Sequence, residues 1–264
     1  QLTKAGCQQR VAGLIDRLND EFGLVILSDA LHIGYMSGFF SNPATIHKFS
    51  QSFLIIEGDG CTTLITDNWQ ADAANSSQAS KVKLYDFYDE QNPAQERHNL
   101  AVQFLLRSLS TFHPSPKTIA IESQALSHQT REGLMEIFPS VSLSDIRSHL
   151  VEMRQCKYED ELACIQQSIR AAEAGFTAIH SELHPGITEL DAFSVAQRAA
   201  ATYSTKPVWA TGDFVSGIER TTAMGGIATK RVMQAGDLFL VDFGLIAGGY
   251  WADLSNTFLV GQQP

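Results

Sequence analysis

The sequence predicts an α/β amino-terminal domain with a mixed sheet, followed by an α+β domain. Three observations lead to this fold class. Strand-like and helix-like segments alternate through the first half of the 264 residues, one long amphipathic helix follows, and a glycine-rich, β-like stretch begins at Val208. Alternating strands and helices indicate a layered domain built around a sheet. We therefore divide the chain into domains of residues 1–148 and 149–264.

Short local patterns predict the elements of the first domain. Apolar residues recur at spacings of three and four, which predicts a helix over residues 4–22 that stops at Gly23. The run Leu-Val-Ile-Leu at 24–27 is typical of a short buried strand. Two β-rich runs flank a Gly-Asp-Gly-Cys turn and predict a hairpin of residues 53–57 and 62–66. Further patterns predict helices near 69–76, 93–111 and 127–138, and strands at 82–88 and 118–121.

The second domain begins with the most regular pattern in the chain. Apolar residues from 162 to 179 step by three and four along one stripe, which predicts a long helix. A Pro-Gly pair ends it. Thr188 and Asp191 then form a capping-box pattern for a helix that runs to about Tyr203. The segment beyond this helix is glycine-rich and predicts strands.

Composition and charge exclude several classes of partner. The 19 basic against 29 acidic residues give a net charge of −10, so the chain as a whole repels nucleic acid and anionic membrane surfaces. No run approaches the roughly 18 apolar residues that span a bilayer. The four cysteines form no CxxC pair, and the first residues lack the features of a signal peptide. We expect a cytoplasmic protein that binds neither nucleic acid nor membranes, and we include a homodimer among its expected assemblies.

Asp242 and Asp253 are the strongest candidates for chemistry. They lie eleven positions apart in two β-type segments. A two-residue turn at Ala247 and Gly248 would place the aspartates directly opposite each other. Like charges so placed are destabilising. Either divalent cations held by both carboxylates or a shared proton would compensate for this repulsion, and the residues alone leave both alternatives open.

These segments carry a resemblance to a known family. Residues 236–244 and 249–258 resemble the GD…DxG…GYxxDxxRT metal-site segment of the creatinase, prolidase and aminopeptidase P family. Residues 154–157 are similar to the RxxK entry to its catalytic domain, and residues 186–189 to its G-x-T-E helix start. Residues 32–39 are similar to a segment of its amino-terminal domain. The resemblance covers essentially the whole chain.

The resemblance implies a pita-bread catalytic domain after the α/β domain. It implies two divalent metal ions (Mn, Co or Zn), with Asp242 and Asp253 among their ligands, that activate a water molecule for hydrolysis. The family supplies a histidine and two glutamates after the second aspartate, whereas this sequence stops at Pro264. We therefore expect a catalytic domain incomplete at its carboxyl end, which binds metal weakly or not at all and is inactive as the 264-residue chain.

Two departures from the family pattern keep the function open. Residues 223–226 read Ala-Met-Gly-Gly where the family has a Pro-His-Gly-like segment, and Asn256 replaces an arginine. The first interpretation is a metallopeptidase resembling Xaa-Pro dipeptidase or aminopeptidase P, which cleaves an amide bond next to proline. The second is a catalytically silent pita-bread module that binds peptides or proteins. The third is a creatinase-like hydrolase of a small non-peptide substrate.

Overall fold

The computed structural model describes residues 1–19, 22–41, 51–91, 93–112, 115–223 and 225–261. The chain divides into two compact units, Leu2–Tyr158 and Glu159–Pro264. We call them the amino-terminal and carboxy-terminal units. The predicted domain boundary between residues 148 and 149 stays a prediction. Among the described residues, no helix combines the length and apolar character that crossing a membrane requires.

The amino-terminal unit is built on a six-stranded mixed sheet, as the sequence predicts. Its strand order is β4-β3-β2-β1-β5-β6, and only β2 runs antiparallel to its neighbours. In chain order its elements are α1 (Lys4–Leu18), β1 (Leu24–Leu27), α2 (Ala30–Ser37), β2 (Phe53–Glu57), β3 (Thr62–Asp67), α3 (Ala71–Asn75), β4 (Lys81–Tyr85), α4 (Arg97–Leu109), β5 (Thr118–Ile121), α5 (His128–Ile137), β6 (Ser142–Asp145) and α6 (Arg147–Met153). A short 3-10 turn, Asn68–Gln70, precedes α3.

Both faces of this sheet are covered, which explains why its central strands are apolar throughout. Side chains of a strand alternate between faces. Val25 and Leu27 pack into one cluster with side chains of α1, α2 and α6. Leu24 and Ile26 pack into a second cluster with side chains of α4 and α5. The predicted buried strand and the hairpin of β2 and β3 are therefore confirmed.

Several predicted boundaries were wrong for local reasons. Helix α1 ends at Leu18 because Asn19 adopts a left-handed conformation with φ 51°. Helix α4 begins at Arg97, after Glu96 caps the first amides with its carboxylate. Three short elements of the amino-terminal unit, α2, β6 and α6, were not predicted. The side chains of β6 are only half-buried or exposed, so its sequence has no apolar alternation to mark a strand.

The carboxy-terminal unit packs two helices against one face of a three-stranded antiparallel sheet. Its elements are α7 (Glu159–Glu182), α8 (Glu189–Ser204), β7 (Trp209–Ser216), α9 (Ile218–Thr221), β8 (Leu238–Ile246) and β9 (Trp251–Leu259), in the sheet order β7-β8-β9. The predicted capping box of Thr188 and Asp191 is present. A side chain at Gly175 in α7 would lie 2.8 Å from the ring of Phe243, so glycine allows the helix to approach β8 closely.

A buried polar relay connects three segments of the amino-terminal unit. The Glu122 carboxylate accepts hydrogen bonds from the amides of Ser28 (2.7 Å) and Asp29 (2.9 Å). Its other oxygen contacts Nδ1 of His32. Arg154 lies 3.3 Å from Nε2 of the same histidine. Because both Glu122 and His32 are 2 % exposed, the loss of one partner leaves polar groups buried without compensation.

We expect Glu122→Ala to lower the free energy of unfolding by about 3–5 kcal/mol, because it leaves three donors without their acceptor at about 1–3 kcal/mol each. The matched control is Glu132→Ala. Glu132 also pairs with a histidine, His128, at 3.1 Å, but that pair is exposed. Its loss should cost at most about 1 kcal/mol. Urea denaturation of the two variants measures the difference, and equal effects would contradict a structural role for the relay.

Candidate metal centre

The register of β8 and β9 corrects the predicted pairing of the two aspartates. Asp242 lies opposite Ser255, and Asp253 lies opposite Gly244. The prediction that Asp242 and Asp253 face each other directly is therefore wrong. They are diagonal neighbours on the same face of the sheet, a relation that places Cα atoms about 7–8 Å apart.

The turn between the strands explains this shift. The last paired residues are Ile246 and Trp251, so the turn has four residues rather than the two predicted. The hydroxyl of Ser168 in α7 accepts hydrogen bonds from the amides of Ala247 (3.1 Å) and Gly248 (3.3 Å). It donates to the carbonyl of Tyr250 at 2.7 Å. A side chain distant in sequence thus stabilises the longer turn.

The two carboxylates lie on the sheet face opposite the helices, and they are not neutralised. Among the residues that the structure describes, no basic side chain lies within ion-pair distance of Asp242 or Asp253. Burial raises the pKa of Asp242, and the negative charges of Asp253 and Asp213 raise it further. The ionised form of Asp242 is therefore disfavoured in the folded chain, and a bound cation would relieve this cost.

Asp213 is a third acidic residue of this face, which the sequence reasoning missed. It lies on β7 directly opposite Asp242. The preceding Gly212 has φ 136°, and a side chain there would lie 1.8 Å from the carbonyl oxygen of Asp242. A glycine inside a strand often marks such a close backbone approach. The Gly-Asp pair within a β-rich segment was thus a usable signal.

Asp213 also contacts the segment where the family pattern has its histidine. The amide of Gly226 donates to Oδ1 of Asp213 at 2.8 Å. Gly225 has φ 78°, and a Cβ atom there would lie 3.7 and 3.8 Å from the two Asp213 oxygens. This chain therefore presents a carboxylate to the space that a side chain at position 225 would enter. Met224, which belongs to the same motif, lies outside the described residues.

A different group of side chains, in the amino-terminal unit, has the spacing of a metal site in the described parts of the chain. Ligand atoms of Asp29, His32 and Glu122 lie within 4.8 Å of one another, and no other set of three does so there. However, Arg154 can only donate, so Nε2 of His32 accepts from it and Nδ1 carries the proton that faces Glu122. A protonated Nδ1 cannot bind a metal, and the guanidinium repels cations. We interpret this group as a hydrogen-bond relay.

The chemistry of Asp242 and Asp253 fits a divalent cation better. Both residues offer carboxylate oxygens, which are suitable ligand atoms for divalent cations. Neither residue has a counter-ion among the described residues. With Asp213, however, they do not form a set of three oxygens within 4.8 Å in the described chain. The face thus supplies part of a coordination shell.

Comparisons of the sequence with known families match both units. The profile described as the creatinase/prolidase N-terminal domain matches residues 10–156. The profile of metallopeptidase family M24 matches residues 163–264 and includes both aspartates. An uncharacterized peptidase of Bacillus subtilis, YqhT, is 23 % identical over 151 residues, which is 55 % of this chain and 41 % of that protein.

Solved structures show the same fold. An X-Pro aminopeptidase of Thermotoga maritima is 21 % identical, with a TM-score of 0.76, and the match covers 97 % of this chain and 66 % of that protein. A prolidase of Pyrococcus horikoshii is 19 % identical, with a TM-score of 0.72 and the same coverage. The predicted fold class, an α/β domain followed by a pita-bread domain, is confirmed. The chain spans about two fifths to two thirds of these proteins' lengths.

Asp253→Asn should stabilise the metal-free chain near neutral pH, because it removes one of the charges that raise the pKa of Asp242. For a diagonal, partly solvated pair we expect a few tenths of a kcal/mol, about 0.2–0.5. Urea denaturation across pH measures this change.

The sign of the pH dependence follows from the raised pKa. The folded state binds protons more tightly than the unfolded state, so the wild type loses stability as pH rises from the ordinary aspartate range through the raised pKa of Asp242. The advantage of Asp253→Asn should therefore grow over that interval and vanish in stronger acid. A variant that is strongly destabilised at neutral pH would show that Asp253 has a stabilising partner instead.

Proposed function

Because this chain belongs to the creatinase/prolidase group of metallopeptidase family M24, we propose that its protein is a metal-dependent hydrolase that cleaves the amide bond next to proline. One observation carries the proposal. Asp242 and Asp253 share one face of a paired sheet without a counter-ion in the described chain, inside the segment that matches the peptidase family. The solved structures with the same fold include an X-Pro aminopeptidase and a prolidase, and this similarity supports the proposed specificity for proline.

Asp242 and Asp253 would hold two divalent ions, which we propose to be Mn, Co or Zn. Bound ions of this kind supply a water molecule activated for attack on an amide carbon. Gly244, which lies opposite Asp253, keeps the surface beside that aspartate accessible. A side chain at Gly244 would lie 3.6 Å from the ring of Trp251 and 3.8 Å from Oδ1 of Asp253. The absent side chain therefore leaves room for a ligand beside Asp253.

The test combines metal binding with peptide hydrolysis. Two carboxylates offer few ligands, so this chain should bind Mn²⁺ only weakly, with a dissociation constant well above micromolar in calorimetry. Asp242→Asn should abolish that binding. The full open reading frame, where it extends beyond this sequence, should hydrolyse Xaa-Pro peptides with added Mn²⁺ and lose the activity in Asp242→Asn.

Matched substrates and a surface variant serve as controls. Xaa-Ala peptides should be cleaved slowly, and Asp72→Asn in α3 of the amino-terminal unit should change neither binding nor hydrolysis. Metal-independent activity, or equal cleavage of Xaa-Pro and Xaa-Ala, would refute the proposal. A protein that binds peptides but hydrolyses none would instead be the silent binding module.

A second candidate substrate is favoured by Asp213. Its carboxylate faces the open position of Gly225 and accepts only the amide of Gly226 among the described residues. A carboxylate in that place would bind a cationic group, such as an amidine, by charge-assisted hydrogen bonds. A small amidino compound is therefore the alternative substrate for the same metal-dependent chemistry.

Asp213→Asn separates the two substrates. If the protein hydrolyses an amidino compound, the loss of a charged hydrogen bond of about 1.5–3 kcal/mol should raise KM roughly 10- to 150-fold. Hydrolysis of a zwitterionic Xaa-Pro dipeptide, which has no net charge and no amidinium group, should change much less in the same variant. The KM values of both substrates provide the measurement, and an unchanged KM for the cationic compound would exclude Asp213 as its binding group.

A further inference from the structure

Glu189 is a buried acid of the carboxy-terminal unit whose carboxylate accepts hydrogen bonds from three different residues. Glu189 is the first residue of α8 and is fully buried. Oε1 accepts from the amide and hydroxyl of Ser216 at 2.7 and 2.8 Å, and from Nε of Arg220 at 3.1 Å. Oε2 accepts from the amide and hydroxyl of Thr229 at 3.0 and 2.6 Å. Five hydrogen bonds thus converge on one side chain.

These bonds hold both ends of the segment that leaves β7 and returns to it. We call residues 217–229 the connecting segment; Met224 within it is not described. Ser216, the last residue of β7, immediately precedes it, and Thr229 is its last residue. Arg220, which lies within it, also donates to the carbonyl of Ile227 at 2.8 Å. Glu189 therefore holds the segment at the residue before it, at Arg220 within it and at Thr229 at its end.

The connecting segment in turn contacts the acidic face. The Gly226 amide donates to Asp213 at 2.8 Å, and the Gly226 carbonyl accepts from the amide of Phe214 at 3.0 Å. A side chain at Gly226 would lie 2.5 Å from Val215, so the backbone packs directly on β7. The position of Gly226 beside Asp213 thus depends on how the segment is anchored.

Glu189 performs this role as an anion. Burial alone would raise its pKa, but the hydrogen bonds from Thr229 and Ser216 outweigh burial and lower the pKa below its ordinary value. An ionised carboxylate accepts from every one of these donors, whereas an amide or a protonated acid would place a donor against a donor. The donor set thus specifies a carboxylate at this position.

We propose that Glu189 is a positioning residue of the active site: it anchors the connecting segment so that Gly226 stays bound to Asp213, beside the proposed metal ligand Asp242. The proposal rests on the proposed function in one respect, which is the assignment of the aspartates to the active site. Glu189 itself would touch neither metal nor substrate.

The test measures the hydrogen-exchange rates of single amides in this chain. It compares the rate at Gly226 with the rates in the rest of the carboxy-terminal unit. In Glu189→Gln, the Gly226 amide should exchange at least tenfold faster, whereas amides of the β8–β9 ladder should change less than twofold. A uniform increase would overturn the proposal, because it would show a general stabilising role. An unchanged Gly226 amide would overturn it as well.

Thr229 provides a milder pair of variants should Glu189→Gln fail to fold. Thr229→Ala removes one bond to Glu189 and should accelerate exchange at Gly226, whereas Thr229→Ser keeps the hydroxyl and should restore the wild-type rate. Thr222→Ala is the control, because Thr222 lies in the same segment but bonds to Ile218 and not to Glu189. Equal rates in the alanine and serine variants of Thr229 would count against the proposal.

A kinetic readout separates this inference from the proposed function. In the hydrolase, Thr229→Ala should raise KM at least fivefold and leave kcat within twofold, and Thr229→Ser should recover the wild-type KM. A change in kcat alone would contradict a role of the Gly226–Asp213 contact in substrate binding. If the wild-type protein hydrolyses no Xaa-Pro peptide, the proposed function fails, while the exchange experiment still decides the role of Glu189.

Discussion

The candidate site depends on one constraint, the pairing of β8 with a strand on each side. Paired backbones on both edges fix which side chains share a face. Phe239, Val241 and Phe243 face the helices and are fully buried. The alternate residue Asp242 is consequently directed to the other face, between Asp213 on β7 and the diagonal Asp253 on β9. The apolar core thus determines where the acidic residues lie.

Polar contacts from the helices then set the details of that face. Ser168 in α7 binds the turn between β8 and β9, and so stabilises the register in which Asp242 and Asp253 are diagonal neighbours. Glu189 in α8 binds the segment that brings Gly226 to Asp213. In both cases a buried side chain satisfies backbone groups that have no ladder partner, which is the usual requirement for irregular segments inside a fold.

Carboxylates serve two different purposes in this chain. Glu122 and Glu189 are almost fully enclosed, and each carboxylate is surrounded by hydrogen-bond donors. Asp242 and Asp253 are more exposed and lack such donors among the described residues. The number of hydrogen-bond donors around a carboxylate therefore separates the structural acids from the candidate metal ligands. A carboxylate that lies near other negative charges and has no donors keeps its capacity to bind a cation.

The sequence by itself determined the two-part architecture and the shared face of Asp242 and Asp253. Apolar periodicity indicated most helices and strands. Side chains alternate along a strand, so both aspartates lie on one face of the hairpin whether the turn has the two residues predicted or the four observed. The tertiary structure decided the register, through Ser168, and brought Asp213 opposite Asp242. Both outcomes depend on contacts between residues far apart in the chain, and local patterns do not specify the partners of such contacts.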